Sequence, residues 1–476
     1  MIRQTVLAVD LGAESGRVMA VHDENDALQV EELHRFPNTP VMARGTLHWD
    51  FLRLWHDIQA GLNKGLALQP VSIGVDTWGV DFALLDAHGE LLGNPVHYRD
   101  RRTEGMMELT LRRVDKAWVF EQTGIQFMPF NTLYQLVSLV ERQSPQLKAA
   151  HTFLTAPDLI NYWLTGTPAC EFTNATTTQL FNPRTGNWAT ELMDALGISR
   201  AIFPAIIQPG TPIGAYEGVP VIAPACHDTG SAVAAVPTQT PHYAYISSGT
   251  WSLVGLEVTA PIINAAALAA NVTNEGGVAG TYRLLKNVMG LWIIQQCRAV
   301  WETEGQAYTY TKLAQLAAAA PPLGSFIDPN DARFLPAGNL PQLIQAFCAE
   351  RGQPVPQTPG EIVRCVLDSL ALAYRDVLQT LLALTGATCE VIHIVGGGSQ
   401  NELLCQLTAN ATGRPVVAGP AEATVLGNAL VQLMGRGELT NLAEARQLVA
   451  KMSDLRRYEP QDTARWDEAF RRYQQM

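Results

Sequence analysis

The chain has 476 residues, of which 47% are apolar and 16% charged, and a formal net charge of −12. This is longer than one hydrophobic core usually supports, so two or more domains are expected. The low charged fraction argues against a disordered or coiled-coil protein. The acidic balance argues against nucleic acid or an anionic membrane surface as partner. The stretch from Met1 to Asp10 lacks the apolar core and cleavage site of a signal peptide. No apolar run is long enough to span a bilayer, so a cytoplasmic protein is the expectation. The seven Cys show no CxxC spacing. Free thiols are therefore expected, with Cys348 and Cys365 left open as a pair.

In chain order, Thr5 to Asp10 reads as a first strand, followed by the turn Leu11–Arg17 and a strand from Val18 to Val21. Leu28 to Leu33 reads as a third strand. Phe51 to Leu66 reads as a helix, with Leu54, Ile58 and Leu62 on one face. Val71 to Asp76 is a buried strand running into Thr77-Trp78-Gly79-Val80-Asp81. A hairpin is expected over Phe82 to Leu92, turning at His88-Gly89. Helices are expected over much of 103–165, broken by Pro129 and Pro157. A short strand, Val221-Ile222-Ala223, leads into Cys226-His227-Asp228-Thr229-Gly230 and a helix of small residues.

After Asp228 the pattern starts again. His242 to Ile246 is a strand, Ser247 to Ser252 a turn of small residues, and Leu253 to Leu256 the returning strand. The echo of residues 5–21 points to an internal duplication. It divides the chain into an N-terminal domain, 1–241, and a C-terminal domain, 242–476. Helices follow over Glu361 to Leu384, through Leu403, Leu404 and Leu407, and from Ala423 to Met434. The strand Val391–Val395 opens into Gly396-Gly397-Gly398.

Two turns of Gly, Ser and Thr offer backbone N–H groups that can face phosphate oxygens, as glycine allows close approach. Ser15 and Thr250 add hydroxyls, and Arg17 adds a fixed charge. The triple glycine after a strand suits an adenine or ribose packed on the backbone. With Asn401 in the last glycine position it is not GxGxxG, and no GxxxxGK[ST] occurs, so dinucleotide dehydrogenases and P-loop enzymes are disfavoured. Asp10, Asp76, Asp81 and Asp228 stand at strand ends. Asp10 and Asp228 are candidates for holding Mg²⁺ and for accepting a hydroxyl proton, the two carboxylate tasks of phosphoryl transfer. Each of the four can also be a turn cap.

These stretches resemble the FGGY carbohydrate kinases, and within them the branch acting on L-rhamnulose. The resemblance is carried by Val9-Asp10-Leu11-Gly12-Ala13, Ser15-Gly16-Arg17, Asp76-Thr77-Trp78-Gly79-Val80-Asp81, His227-Asp228-Thr229, Ser248-Gly249-Thr250-Trp251, Asn274-Glu275-Gly276-Gly277, Lys286-Asn287 and Val395-Gly396-Gly397-Gly398. It spans nearly the whole chain. It implies an α/β protein of two actin-like (ribonuclease H-like) domains with a cleft between them, the first binding sugar and the second nucleotide. It implies transfer of the ATP γ-phosphoryl group to the 1-hydroxyl of L-rhamnulose, in L-rhamnose catabolism, with Mg²⁺. Asp228 would accept the proton. Gly79, His227, Thr229 and Asn287 would contact the sugar beside Asp228. Ala13, Glu14, Ser15, Gly16, Arg17, Thr250, Gln295 and Gly397 would bind ATP, with Asp10 toward the metal. Glu14 departs from the family's small residue, so its side chain is expected to face solvent. Partners would be small molecules, and the protein a monomer or small homo-oligomer. The alternatives are a kinase for another ketose or polyol, and a nucleotide-driven module of the actin or chaperone kind.

Overall fold

The computed structural model describes residues 4–24, 27–452 and 455–476. The chain forms two compact units. The first comprises Met1–Gln239, Glu257–Leu284 and Ala423–Met452, and the second Thr240–Leu256, Leu285–Glu422 and Ser453–Met476. Two segments beyond residue 241 thus belong to the first unit.

The first unit is built on a meander of β1 (Gln4–Leu11), β2 (Ser15–Glu24) and β3 (Ala27–Pro37). Asp50 caps helix α1 (Phe51–Leu66) by accepting from the Arg53 N–H at 3.2 Å. The helix buries Phe51, Leu54, Ile58 and Leu62, the stripe that its 3.6-residue period places on one face. Strand β4 (Ser72–Thr77) then pairs in parallel with β1. Strands β5 (Pro212–Tyr216) and β6 (Val219–Ile222) complete the order β5-β6-β4-β1-β2-β3, with β6 parallel to β4. Helix α2 (Asp228–Ala234) follows.

Two local expectations are corrected. The expected hairpin forms, with Leu85 bridging Leu91, the Leu92 N–H donating to the Leu84 carbonyl at 3.0 Å and the Asp86 N–H to the Glu90 carbonyl at 2.9 Å, but Phe82–Leu85 also pairs antiparallel with Thr152–Thr155. The stretch read as broken helix therefore contains a strand whose partner lies far back in the chain, beyond the reach of local pattern. Pro157 does not break a helix. It lies in the first turn of Ala156–Thr165, where a missing N–H costs nothing.

The second unit repeats the plan. Strands β7 (Tyr243–Ser248), β8 (Trp251–Val258), β9 (Tyr282–Met289), β10 (Val391–Val395), β11 (Val416–Ala418) and β12 (Arg456–Tyr458) take the order β9-β8-β7-β10-β11-β12 in a seven-stranded sheet whose outermost strand, Thr273–Gly276, lies beyond β9 and, with the first residues of β9, is counted in the first unit. As β1 does, β7 pairs antiparallel with its successor and parallel with a later strand. The chain thus uses one topology twice. The second sheet is backed by the 27-residue helix Pro359–Thr385, opened by a Thr358/Glu361 capping box and closed at Gly386 in the left-handed conformation. All seven Cys are free thiols, Cys348 and Cys365 lying within hydrogen-bonding reach of each other.

The helix Ala423–Gly435 belongs to the first unit and lies directly on α2. A Cβ added at Gly427 would sit 1.7 Å from the Ser231 carbonyl oxygen. A backbone atom cannot rotate away as a side chain can. Gly427→Ala is therefore expected to destabilise the protein by about 2 kcal/mol or more. Because α2 begins with Asp228, turnover should fall as well. Urea unfolding followed alongside activity checks both, and an unchanged midpoint would show that the two helices can part freely.

Candidate active site

Parallel register decides which carboxylates meet. Asp10 on β1 and Asp76 on β4 are direct partners, so both project from the same ends of neighbouring strands. Arg17 lies opposite Asp10 on β2 and donates to its Oδ2 at 2.5 Å. The Thr77 N–H donates to the Cys226 carbonyl at 2.9 Å, and Thr77 bridges to His227 in parallel. This stitch brings the loop before α2 to the end of β4. The C-terminal ends of parallel strands are where open α/β sheets place ligands.

Asp228 opens α2 with 29% of its side chain exposed. Its Oδ1 accepts from the Thr229 N–H at 2.5 Å and from the Thr229 hydroxyl at 3.2 Å. His227 Nε2 lies 3.4 Å from the same oxygen. Among the described residues, every hydrogen bond to this carboxylate falls on Oδ1, so Oδ2 is the oxygen available to an incoming hydroxyl. Burial raises the Asp228 carboxyl above its usual range, His227 opposes that, and Asp10 adds to it.

Asp76 is fully buried. Asn428 Nδ2 donates to its Oδ2 at 2.5 Å, and Oδ1 has no hydrogen-bond partner. Burial, helped by the charges of Asp10 and Asp228, pushes this carboxyl well above the ordinary range. Asp81 has a different task. Its Oδ2 accepts from Trp49 Nε1 at 2.5 Å, Trp78 Nε1 at 2.9 Å and the Tyr98 N–H at 3.3 Å, and Gln135 reaches Oδ1 at 3.2 Å. It is the acceptor that ties down the Trp78–Asp81 turn. In that turn Val80 has φ +68°, costly for a β-branched residue. Thr177 Oγ1 accepts from the Val80 N–H at 3.0 Å, while Thr132 and Gln135 donate to its carbonyl. Gly79 lies in this turn with Thr177 packed 3.0 Å from where a Cβ would stand.

The β1–β2 turn holds Ala13, Glu14, Ser15 and Gly16. The Gly12 N–H donates to the Ser15 carbonyl at 2.9 Å, and Asn38 ties the turn down through Gly12 and Glu14 carbonyls. The Glu14 side chain is exposed, its backbone held in the turn. Gly16 answers first to packing, since a Cβ there would lie 2.3 Å from the Phe36 ring.

In the second unit the Gly249–Thr250 turn is joined to the start of the helix Trp292–Thr303. The Gly290 and Trp292 N–H groups donate to the Thr250 carbonyl, each at 3.1 Å. Gln295, in the first turn of that helix, has a buried Oε1 without a partner. Asn287 is half-buried on β9. The triple glycine resolves into separate causes. Gly396 has φ +81°, and a Cβ on Gly398 would collide with Ser248. Gly397 faces open space, with no atom within 4 Å of a Cβ position. Only Gly397 is left without a reason inside the fold.

Four residues that hold this machinery were not assigned by the sequence reading. Glu171, fully buried, accepts through Oε2 from the Thr173 hydroxyl at 2.6 Å, the Cys226 N–H at 3.0 Å and the Asn174 N–H at 3.2 Å. Thr173 Oγ1 in turn accepts from the His227 N–H at 3.0 Å. Beneath them Asp158 accepts from the Glu171 N–H at 3.1 Å and from the Thr155 hydroxyl. Arg283 lies against His227. No period or spacing marks such residues, because each acts on a distant part of the chain or from deep burial.

Two sheets that share a six-strand order, each a hairpin extended by parallel strands, define an α/β protein of the ribonuclease H-like class. The chain belongs to the FGGY family of carbohydrate kinases: the family's N-terminal domain matches residues 5–233 and its C-terminal domain residues 244–436. It is 44% identical over 483 residues to a rhamnulokinase of Bacteroides thetaiotaomicron, covering 98% of both chains. It is 46% identical over 465 residues to a rhamnulokinase of an Enterobacter species, covering 95% of this chain and 94% of that one. In structure it resembles a ligand-bound xylulose kinase of Lactobacillus acidophilus, with TM-score 0.81 at 18% identity, covering 99% and 97% of the two chains. It also resembles a glycerol kinase of Plasmodium falciparum with ADP, with TM-score 0.77 at 14% identity, covering 99% and 98%. These two likenesses concern the fold.

The buried acids give a pH test. Burial pushes Asp158 to about 8 and Glu171 to about 7. Raised acids bind more protons in the folded state, so their stabilisation is present at low pH and lost as pH rises through the window. An amide at this position mimics the protonated acid, keeping an acceptor for the Glu171 N–H and offering a donor to Thr155. Asp158→Asn should therefore gain on wild type between pH 5 and 8, by on the order of 1 kcal/mol per pH unit. Melting both proteins across that range checks it; a constant difference would mean that Asp158 folds ionised.

Proposed function

We propose that this protein transfers the γ-phosphoryl group of ATP to the 1-hydroxyl of L-rhamnulose, giving L-rhamnulose 1-phosphate and ADP, in L-rhamnose catabolism. The observation that carries the substrate is identity of 44–46%, over nearly the whole chain, to proteins named rhamnulokinase. The position of Asp228 supports the chemistry.

Phosphoryl transfer asks a protein for alignment, charge neutralisation and a proton acceptor, with little covalent work. In this reading Asp228 Oδ2 takes the proton of the 1-hydroxyl as the oxygen attacks the γ-phosphorus. Two donors of Thr229 on Oδ1, with His227 Nε2 3.4 Å from the same oxygen, restrain the carboxylate. A carboxyl lifted by burial is also a better proton acceptor than a solvated one. Gly79, His227, Thr229 and Asn287 orient the sugar. The turn Ala13–Arg17 supplies amides, a hydroxyl and the Arg17 charge to phosphate, and Thr250 does the same from the second unit. Gln295, with its unpartnered oxygen, and Gly397, with its open face, receive the rest of the nucleotide. The sugar contacts fall mainly in the first unit; of the nucleotide contacts, the phosphate turn Ala13–Arg17 is in the first unit and Thr250, Gln295 and Gly397 are in the second.

Asp10 fits Mg²⁺ as a hard oxygen donor. Among the described residues no three His, Cys, Asp or Glu side chains converge as a metal cage. That is the usual situation for Mg²⁺, which keeps its waters and takes one or two carboxylates with substrate phosphates. When bound, the ion neutralises phosphate charge. Arg17, paired with Asp10, holds that carboxylate in place.

The same reading takes the protein as a cytoplasmic enzyme with small-molecule partners and without nucleic acid or membrane, as a monomer or small homo-oligomer. No helix among the described residues is long and apolar enough to cross a membrane.

A coupled ATP-consumption assay over a panel of ketoses and polyols should show the highest kcat/KM for L-rhamnulose. Asp228→Asn should keep its melting temperature and nucleotide affinity and lose turnover by about 100-fold or more. Preference for another sugar would redirect the substrate assignment, and an Asn variant with near-normal kcat would remove Asp228 from the role of base.

A further inference from the structure

One buried cation beside the candidate base is not used by this mechanism. Arg283, on β9, is completely buried. Its Nε donates to the Gly276 carbonyl at 2.7 Å, and its Nη2 lies 3.1 Å from His227 Nδ1 and 3.3 Å from Glu275 Oε2. His227 Nδ1 is itself 3.3 Å from Glu275 Oε2. Arg283, His227, Glu275 and Gly276, with Asp228, all lie in the first unit.

An arginine has no acceptor, and it stays protonated in proteins. Facing it at hydrogen-bond distance, Nδ1 must present its lone pair, because a proton there would set two donors head to head. Nη2 thus donates to Nδ1, while its approach to Glu275 Oε2 is an ion-pair contact and not a hydrogen bond. The ring's remaining proton then sits on Nε2, the nitrogen 3.4 Å from Asp228 Oδ1. We propose that Arg283 is a positioning residue: by donating to His227 Nδ1 it fixes the Nε2–H form of the imidazole, which holds Asp228 by its Oδ1 and leaves Oδ2 for the substrate hydroxyl. Glu275 balances the arginine's charge from 3.3 Å. Without the arginine, Glu275 becomes the natural acceptor for an Nδ1 proton, and His227 then meets Asp228 with a lone pair instead of a donor. The tautomer of a histidine is set by the bond its other nitrogen makes.

The catalytic consequence rests on Asp228 being the base; the tautomer does not. The test therefore reads both. In protein labelled with ¹⁵N only at histidine, long-range ¹H–¹⁵N spectra distinguish a protonated from a bare ring nitrogen, and the His227 signals are assigned by their loss in His227→Gln. Wild type should show Nδ1 bare and Nε2 protonated at the assay pH. Arg283→Lys, a smaller donor-only cation, should keep that pattern. Arg283→Met should move the proton to Nδ1 and lower kcat by between about 10- and 100-fold, with KM for ATP within about twofold of wild type. The lysine variant should recover part of the lost kcat, which a merely structural role would not predict from tautomer. A protonated Nδ1 in wild type overturns the proposal whether or not the Met variant folds. So does a folded Met variant with unchanged tautomer and kcat. If the tautomer is as expected but Asp228→Asn retains turnover, the base assignment fails and the role of Arg283 toward His227 stands.

Discussion

The site depends on a carboxylate that is fully enclosed by protein. Glu171 gathers the Thr173 hydroxyl and the Asn174 and Cys226 N–H groups onto one oxygen, and Thr173 passes the grip on to the His227 N–H. The segment carrying His227 and Asp228 is short and joins a strand to a helix of only seven residues. Such a segment has few backbone bonds of its own to set its path. Side-chain acceptors from much earlier in the chain, and the Thr77 N–H on the Cys226 carbonyl, set it instead. The position of Asp228 is thus inherited from Glu171 and β4.

This arrangement explains why some features were legible in the sequence and others were not. The strand–turn–strand units at 5–21 and 242–256 are local, so alternation and glycine punctuation reveal them, and strand pairing repeats them faithfully. Asp10, Asp76 and Asp228 were visible because strand ends are visible. Asp81 shared that signal, yet two indole N–H groups make it a structural acceptor, which only the fold reveals. Gly16 and Gly397 look alike in sequence. Phe36 explains the first and nothing inside the protein explains the second. Phe82–Leu85 shows the limit from the other side: a strand is named by its partner, and Thr152–Thr155 lay far outside any local window.

Arg283 and Glu171 share a deeper reason for being missed. Sequence reading finds functional groups by exposure-prone chemistry in turns, whereas these two are charged side chains in fully buried positions. A buried charge is tolerable only when its partners are in place, and those partners are assembled by the tertiary fold. Neither spacing nor composition distinguishes Arg283 from a surface arginine. Its neighbours Glu275, His227 and the Gly276 carbonyl do.

The electrostatics of the carboxylate cluster follow from the same packing. Asp10, Asp76 and Asp228 converge at adjoining strand ends, and Arg17 is bound to the first of them. Three full negative charges there would repel one another and any phosphate brought near. Burial resolves this unevenly. Asp76, enclosed by the Ala423–Gly435 helix and held by Asn428, is the one driven furthest toward its neutral form. Asp10 retains its arginine, and Asp228, still open to solvent on one side, keeps an oxygen for exchange. Weighting Asp76 toward its neutral form lessens the repulsion it exerts on Asp10 and Asp228. The packing of one helix against β4 thereby biases the charge of the cluster as well as fixing its shape.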